Sequence, residues 1–352
     1  SLVRGNITME LNSYFFGSTA SSHKKSLYEA IDRGVDFLTG ETRNNKVLNY
    51  ETPERLKELI AERLPQQACD ISEIFKELEK IGKFSISQSD LRYIAFPDSG
   101  NSIAALIGDI YSKFINQNLI AVDRSAPIAT FVEIQVIEWL RELIGYDSKP
   151  LVEIKSLSEV SGMCTTGGHM SNHIAIMTAL NEKYTVVKKY GVRALNVTPK
   201  IVLAGDISHY SFSSAMHHLG LGQENMINVK SNGEFTTDIE DLTRVLEEHT
   251  IQNDIFMVVS VAGNSRTSSI DNIKNMAEIC QRYKIWLHVD ACHGGSLLFS
   301  NYLKDRDLQG IELADSVSLD PHKGMFVTYP LSYILFKKRD ALVNFTRYEK
   351  NV

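Results

Sequence analysis

The chain has 352 residues, 43% of them hydrophobic and 23% charged, which is an ordinary globular profile with enough apolar residues for a sizeable core. Its net charge of -6 comes from 37 basic and 43 acidic residues mixed along the chain, and the lack of a basic block argues against nucleic acid or a membrane surface as a partner. No run reaches the roughly 18 uninterrupted apolar residues of a membrane-spanning helix, the opening "SLVRGNITMELNS" has no apolar stretch with a cleavage site, and a cytoplasmic protein is the simplest expectation.

Residues 24–94 read as mostly helical, interrupted by polar stretches such as "GETRNNK" and "LPQQACD". In "SAPIATFVEIQVIEWLRELIGY" (125–146), Phe131, Val132, Val136, Leu140, Leu143 and Ile144 keep helical spacing and Gly145 follows as a stop signal. That spacing predicts a helix buried on most sides. Beyond residue 160, strand-like runs at 200–206, 254–263, 285–291, 315–320 and 331–338 alternate with amphipathic helical segments at 238–249 and 270–283. Such alternation implies an α/β fold with a largely parallel sheet flanked by helices. The four cysteines, Cys69, Cys164, Cys280 and Cys292, are far apart and form no CxxC, so buried reduced thiols are expected, without a metal site or disulfide frame.

In a parallel α/β sheet, ligands sit beyond the carboxyl ends of the strands, and the chemically suggestive residues fall there. Asp290 closes "WLHVD", Asp320 closes "SVSLD" with His322 and Lys323 just after it, and Ser208 and His209 follow "VLAGD". In "TTGGHMSNHIAIMTAL" (165–180), two glycines open a helix, whose free N–H groups and positive dipole end suit a phosphate. Each feature also has an ordinary reading: a plain Gly turn, a capping Asp290, a structural His209, or a Lys323 that reaches to solvent. One cofactor calls for all four together. Pyridoxal phosphate needs a lysine amine for its aldehyde, a carboxylate for its pyridine nitrogen, a helix N-terminus for its phosphate and a ring against its face.

The motifs "DPHK", "HVDACHGGS", "SHYSFSSAMHHLGLG" and "GGHMSN" resemble, in order and spacing, those of the pyridoxal-phosphate-dependent group II amino-acid decarboxylases. Glutamate, cysteine-sulfinate, aromatic-L-amino-acid and tyrosine decarboxylases belong to that family. The resemblance runs from about residue 23 to the end. It implies the fold type I transferase architecture, with an N-terminal helical segment (1–100) swapped against a dimer partner and a large cofactor-binding domain (101–340). Residues 341–352 would begin a mobile loop or a small C-terminal domain.

Carried over position by position, the resemblance makes Lys323 the Schiff-base lysine with His322 beside it, and Asp290 the carboxylate for the pyridine nitrogen. Ala291 would pack near the ring, His209 would stack on its face, and Gly168 and His169 would hold the phosphate. Ser265 stands where a Thr commonly lies near the cofactor, Asp271 closes the same motif, and Asp320 takes a place where many members have Asn. The reaction implied is decarboxylation of an L-amino acid to an amine and carbon dioxide, with Lys323, His209, Asp290 and His322 as catalytic residues. Another carbon-carbon lyase or aldehyde-forming enzyme on the same scaffold, or a silent cofactor-binding dimer partner, are the alternatives.

The resemblance also places Phe96, Pro97 and Asp98 in the substrate pocket, and Leu119 and Ala121 across a homodimer interface. An unpaired Asp98 would disfavour an acidic substrate, whereas an Asp98 that caps the turn "DSGNS" would say nothing about it. The "GGHMSN" spelling is nearer to the glutamate and cysteine-sulfinate branch. The family continues through a loop with a catalytic Tyr or His and a small C-terminal domain, whereas this sequence stops at "TRYEKNV" with Tyr348 near the expected loop. A fragment, or a protein that has lost that part, is therefore expected.

Overall fold

The computed structural model describes residues 21–64, 69–94, 98–119, 122 and 125–346. Phe96, Pro97, Ala121 and Tyr348 lie outside them. The chain divides into two compact units, Ser1–Ala95 and Phe96–Val352. In the first, helices α1 (Ser21–Thr39), α2 (Pro53–Ile60) and α3 (Ile71–Phe84) follow local signals. Thr52 and Asp70 cap the starts of α2 and α3 with their side chains, and Pro53 occupies the first turn, where no N–H partner is needed. Arg43 is buried in this unit, donating to the carbonyls of Phe37 and Lys46 and pairing with Asp90 at 3.8 Å.

The second unit is built on a seven-stranded sheet. Its strands are β1 (Gly162–Thr165), β2 (Lys200–Ala204), β3 (Met226–Val229), β4 (Ile255–Val261), β5 (Trp286–Ala291), β6 (Ser316–Leu319) and β7 (Ser332–Phe336). They lie in the order β1-β7-β6-β5-β4-β2-β3. From β3 to β6 every pairing is parallel, and β7 runs antiparallel to both β6 and β1. Two short strands, β1 and β3, were not expected from the sequence. Both are edge strands, only partly buried, so neither needs a continuous apolar run.

The longer helices of the unit are α4 (Ile103–Ile115), α5 (Ala129–Ile144), α6 (Gly168–Lys183), α7 (Ser211–His218), α8 (Ile239–Glu248) and α9 (Ile273–Tyr283). One apolar core joins α5, α8 and α9 to the sheet through Ile137, Ile144, Leu242, Met276, Leu287 and Val317. A second joins α6 and α7 to the opposite face through Ile176, Phe212, Met216 and Phe256. All seven residues of β4 are buried, as a strand covered on both faces requires. Among the described residues, no helix is long and apolar enough to cross a membrane. All four cysteines are free, and Cys69 is exposed rather than buried.

Helix α5 is not buried on most sides. Ile134, Ile137, Leu140 and Ile144 face the core, whereas Phe131, Val132 and Trp139 are 41%, 57% and 58% exposed. The helix carries two apolar stripes, and the chain covers only one. Its buried face also holds Arg141, which donates to the carbonyls of Asp147, Ser161, Phe336 and Lys337 and so ties α5 to the ends of β1 and β7. An Arg141→Leu variant strands these buried acceptors and is expected to lose about 3–5 kcal/mol of stability. Urea unfolding of the two proteins measures the difference.

Candidate active site

Because β7 reverses direction twice, β1 points the same way as the parallel strands. The carboxyl ends of β1, β2, β4, β5 and β6 therefore share one edge of the sheet, and a cavity of about 260 Å³ opens there. Gly167, Gly168, His169, His209, Ser265, Asp290, Asp320, His322 and Lys323 all line it, although they come from segments up to 156 positions apart in sequence (167 to 323).

The turn after β1 supplies an uncapped helix start. No side chain caps the start of α6, and the first N–H groups of a helix have no partner within it. A Cβ on Gly168 would stand 2.4 Å from Cys292 Sγ and 3.0 Å from the Asp320 carboxylate. Only glycine lets the helix start sit this close to the cavity wall.

Strand β5 supplies the buried carboxylate. Trp286, His288 and Asp290 share one face of the strand and Leu287, Val289 and Ala291 the other. Asp290 Oδ2 accepts from Asn172 Nδ2 at 2.9 Å, and Oδ1 accepts from the Cys292 N–H at 3.2 Å. Burial pushes this carboxyl group up, but His288, the Cys292 hydrogen bond, Lys323 and Asn172 outweigh it and hold it below the usual aspartate range. Burial also lowers His288 to about 4, so near neutral pH its ring is uncharged. The charge favouring ionised Asp290 there is that of Lys323.

The turn after β6 supplies the amine. Lys323 Nζ lies 2.7 Å from Asp320 Oδ2, and Ser332 Oγ donates to Asp320 Oδ1 at 2.5 Å. Burial lowers the Lys323 amine, yet the Cys292 sulfur, Asp320 and Asp290 outweigh it and raise it above the ordinary lysine value. His322 stands behind this pair, its Nδ1 accepting from the Leu331 N–H at 3.1 Å and its ring centroid 3.9 Å from that of Tyr329, the two planes tilted by 32°. On the rim, His209 Nδ1 accepts from the Ser211 N–H at 3.2 Å, and desolvation lowers the ring below the ordinary histidine value.

Other expected residues lie elsewhere. Ala291 is fully buried in the core behind β5, and Cys292, the next residue, lines the cavity in its stead. Asp271 accepts from the N–H groups of Thr237 and Val261 and pins the chain outside the cavity lining. Asp98 is not unpaired, because the Tyr329 hydroxyl donates to it. Neither Asp98 nor Leu119 lines the cavity. Asn172, Cys292, His293 and Tyr329 line it without having been singled out from sequence. Two of them were within reach of simple periodicity: Cys292 lies two residues beyond Asp290, and Asn172 lies four beyond Gly168 on the same helix face.

Residues 53–351 match the pyridoxal-dependent decarboxylase conserved domain. The chain belongs to that family. It is 28% identical over 323 residues to glutamate decarboxylase of Drosophila melanogaster, covering 91% of this chain and 61% of the relative. It is 29% identical over 316 residues to cysteine sulfinic acid decarboxylase of Rattus norvegicus, covering 90% and 60%. The crystal structure of mouse CSAD superimposes with a TM-score of 0.84 at 26% identity, covering 94% of this chain and 68% of that one. The chain thus spans about three fifths of the length of the curated relatives it matches.

The family's cofactor is pyridoxal phosphate, and the residues around the cavity fit it. The cavity offers the Lys323 amine, the Asp290 and Asp320 carboxylates, an uncapped helix start and the imidazoles of His169, His209, His293 and His322. His293 also lines the cavity, its ring held by the backbone of Asn264 and Gly263. Replacing Asp320 by Asn removes one of the charges that raise the Lys323 amine. Its pKa is then expected to fall, measured by competitive acetylation against pH with peptide mass spectrometry.

Proposed function

We propose that this chain carries the cofactor site of an L-amino-acid decarboxylase, which releases the corresponding amine and carbon dioxide. The observation that carries this reading is the placement of Lys323, Asp290, His209 and the Gly168–His169 helix start around one cavity. Pyridoxal phosphate, when bound, provides the sink for the electron pair freed as the Cα–carboxylate bond breaks. Lys323 would hold the cofactor through its side-chain amine. Asp290, ionised and buried, holds a proton on the pyridine nitrogen, so the ring can accept negative charge. Low surrounding polarity strengthens that interaction over its value in water. The N–H groups of Gly168 and His169 would hold the phosphate, His209 would lie against the ring, and Asp320 with His322 would position Lys323.

Acidic amino acids are the first candidates for the substrate, because the relatives at 28% and 29% identity are named for glutamate and cysteine sulfinic acid. Asp98 does not oppose an acidic substrate in the cavity, because it lies outside the lining and is engaged by Tyr329. Purified protein with pyridoxal phosphate is scanned for absorbance while L-amino acids are added and carbon dioxide is trapped. One amino acid is expected to shift the visible band and release carbon dioxide. Lys323→Ala is expected to cut release by about a thousandfold or more, roughly 4 kcal/mol of barrier. Appreciable turnover by that variant would sink the assignment.

A homodimer is part of the proposal. Ile103, Ile107, Tyr111 and Phe114 leave an apolar face of α4 exposed, and Phe131 and Val132 do the same on α5, which is more apolar surface than a monomer of this kind usually presents. Ile107→Glu is expected to shift the sedimentation coefficient from dimer to monomer. An unshifted dimer would place the interface elsewhere.

A further inference from the structure

Behind Asp290 lies a row of polar side chains that the proposed reaction does not use. Trp286, His288 and Asp290 alternate along one face of β5, and Ser316 on β6 is paired directly with His288. Trp286 Nε1 lies 2.9 Å from Ser316 Oγ, which lies 2.8 Å from His288 Nδ1. His288 Nε2 lies 3.1 Å from Asn172 Oδ1, and Asn172 Nδ2 donates to Asp290 Oδ2 at 2.9 Å and to Ser211 Oγ at 3.0 Å. His288 and Ser316 are fully buried, and Asn172 is 1% exposed.

The two ends of the row fix its direction. An indole N–H can only donate, and an ionised carboxylate can only accept. The Asn172 amide nitrogen must therefore face Asp290, which leaves its oxygen to accept from a protonated His288 Nε2. His288 Nδ1 is then a bare acceptor, and the Ser316 hydroxyl donates to it while accepting from Trp286. The opposite imidazole tautomer would set the Nε2 lone pair against the Asn172 oxygen. A charged imidazole would leave the Ser316 proton without this acceptor and put an ion in a fully buried site.

We infer that the chain Trp286, Ser316, His288, Asn172 runs one way into Asp290 and fixes its orientation and ionised state, with His288 as the positioning residue on which it turns. This rests on the cofactor role proposed for Asp290. The burial that lowers His288 to about 4 agrees with a ring that stays neutral throughout the working pH range. With Oδ2 anchored from behind by Asn172 and Oδ1 by the Cys292 N–H, Asp290 is held in a single orientation, in which its free lone pairs would face a bound pyridine nitrogen. A broken chain would let the carboxylate rotate or take up a proton.

The first test needs no variant and no cofactor. Long-range nitrogen–proton correlation on the full chain carrying ¹⁵N-histidine is expected to show His288 as the neutral Nε2–H tautomer, unchanged between about pH 5.5 and 8.5. A protonated Nδ1, or a ring that titrates in that window, overturns the inference. The second test uses pyridoxal phosphate labelled with ¹⁵N at the ring nitrogen. His288→Leu and Asn172→Leu are expected to weaken cofactor affinity roughly tenfold and to lower the pH at which the ring nitrogen loses its proton. His288→Gln, which keeps a donor near the Nε2 position, recovers most of both. Affinity and ring protonation unchanged in the two leucine variants would overturn the inference. Failure of the parent protein to take up pyridoxal phosphate would defeat the functional reading instead, while the tautomer of His288 still decides the direction of the chain.

Discussion

The site depends on keeping one carboxylate charged where water barely reaches. Asp290 is 8% exposed at the end of β5, and an unpaired ion there would protonate rather than stay charged. It stays ionised because donors converge on it from separate elements: Asn172 from α6, the Cys292 N–H from its own turn and the Lys323 charge from the turn after β6. Each of those elements is held in turn by the apolar cores on the two faces of the sheet. The polar centre and the packing are therefore one construction, since a shift of α6 away from the sheet would take Asn172 with it.

Topology gives that construction its place. Parallel strands deliver every following loop to the same edge, and the antiparallel β7 lets β1 join them although it lies at the far side of the sheet. The uncapped helix start after β1 can thus stand against Cys292 and Asp320, which follow β5 and β6. The contact is tight enough to exclude a Cβ, so glycine at position 168 is a requirement of that close approach and not of backbone conformation.

The strand ends Asp290 and Asp320, the Lys323 behind a His and a Pro, and the double glycine at 167–168 were legible in the sequence, because residue type and strand-end position suffice to mark them. The seat of Ala291 was not. Letters give the order of residues along β5, whereas the pleat decides which face each one takes, and it turns Ala291 into the core and Cys292 into the cavity. Asp98 and Tyr329 are 231 residues apart, so no local pattern could show that the carboxylate is engaged. The burial expected for α5 failed for a related reason. Periodicity finds an apolar stripe but does not say whether the chain itself supplies a cover for it.

By itself the sequence determined the alternation of strands and helices, and hence a parallel sheet with its reactive residues at one edge, because periodicity and turn chemistry are local properties. It also determined the set of chemical groups available: an amine, carboxylates, imidazoles and an uncapped glycine-led helix. Only the tertiary structure decided which of these share a cavity, which side chain stands behind which, and that His288 is neutral while Asp290 is charged. Those outcomes are set by burial and by donors from distant segments. Proton occupancy responds to the three-dimensional surroundings of a group, and neighbours along the chain specify only a small part of them.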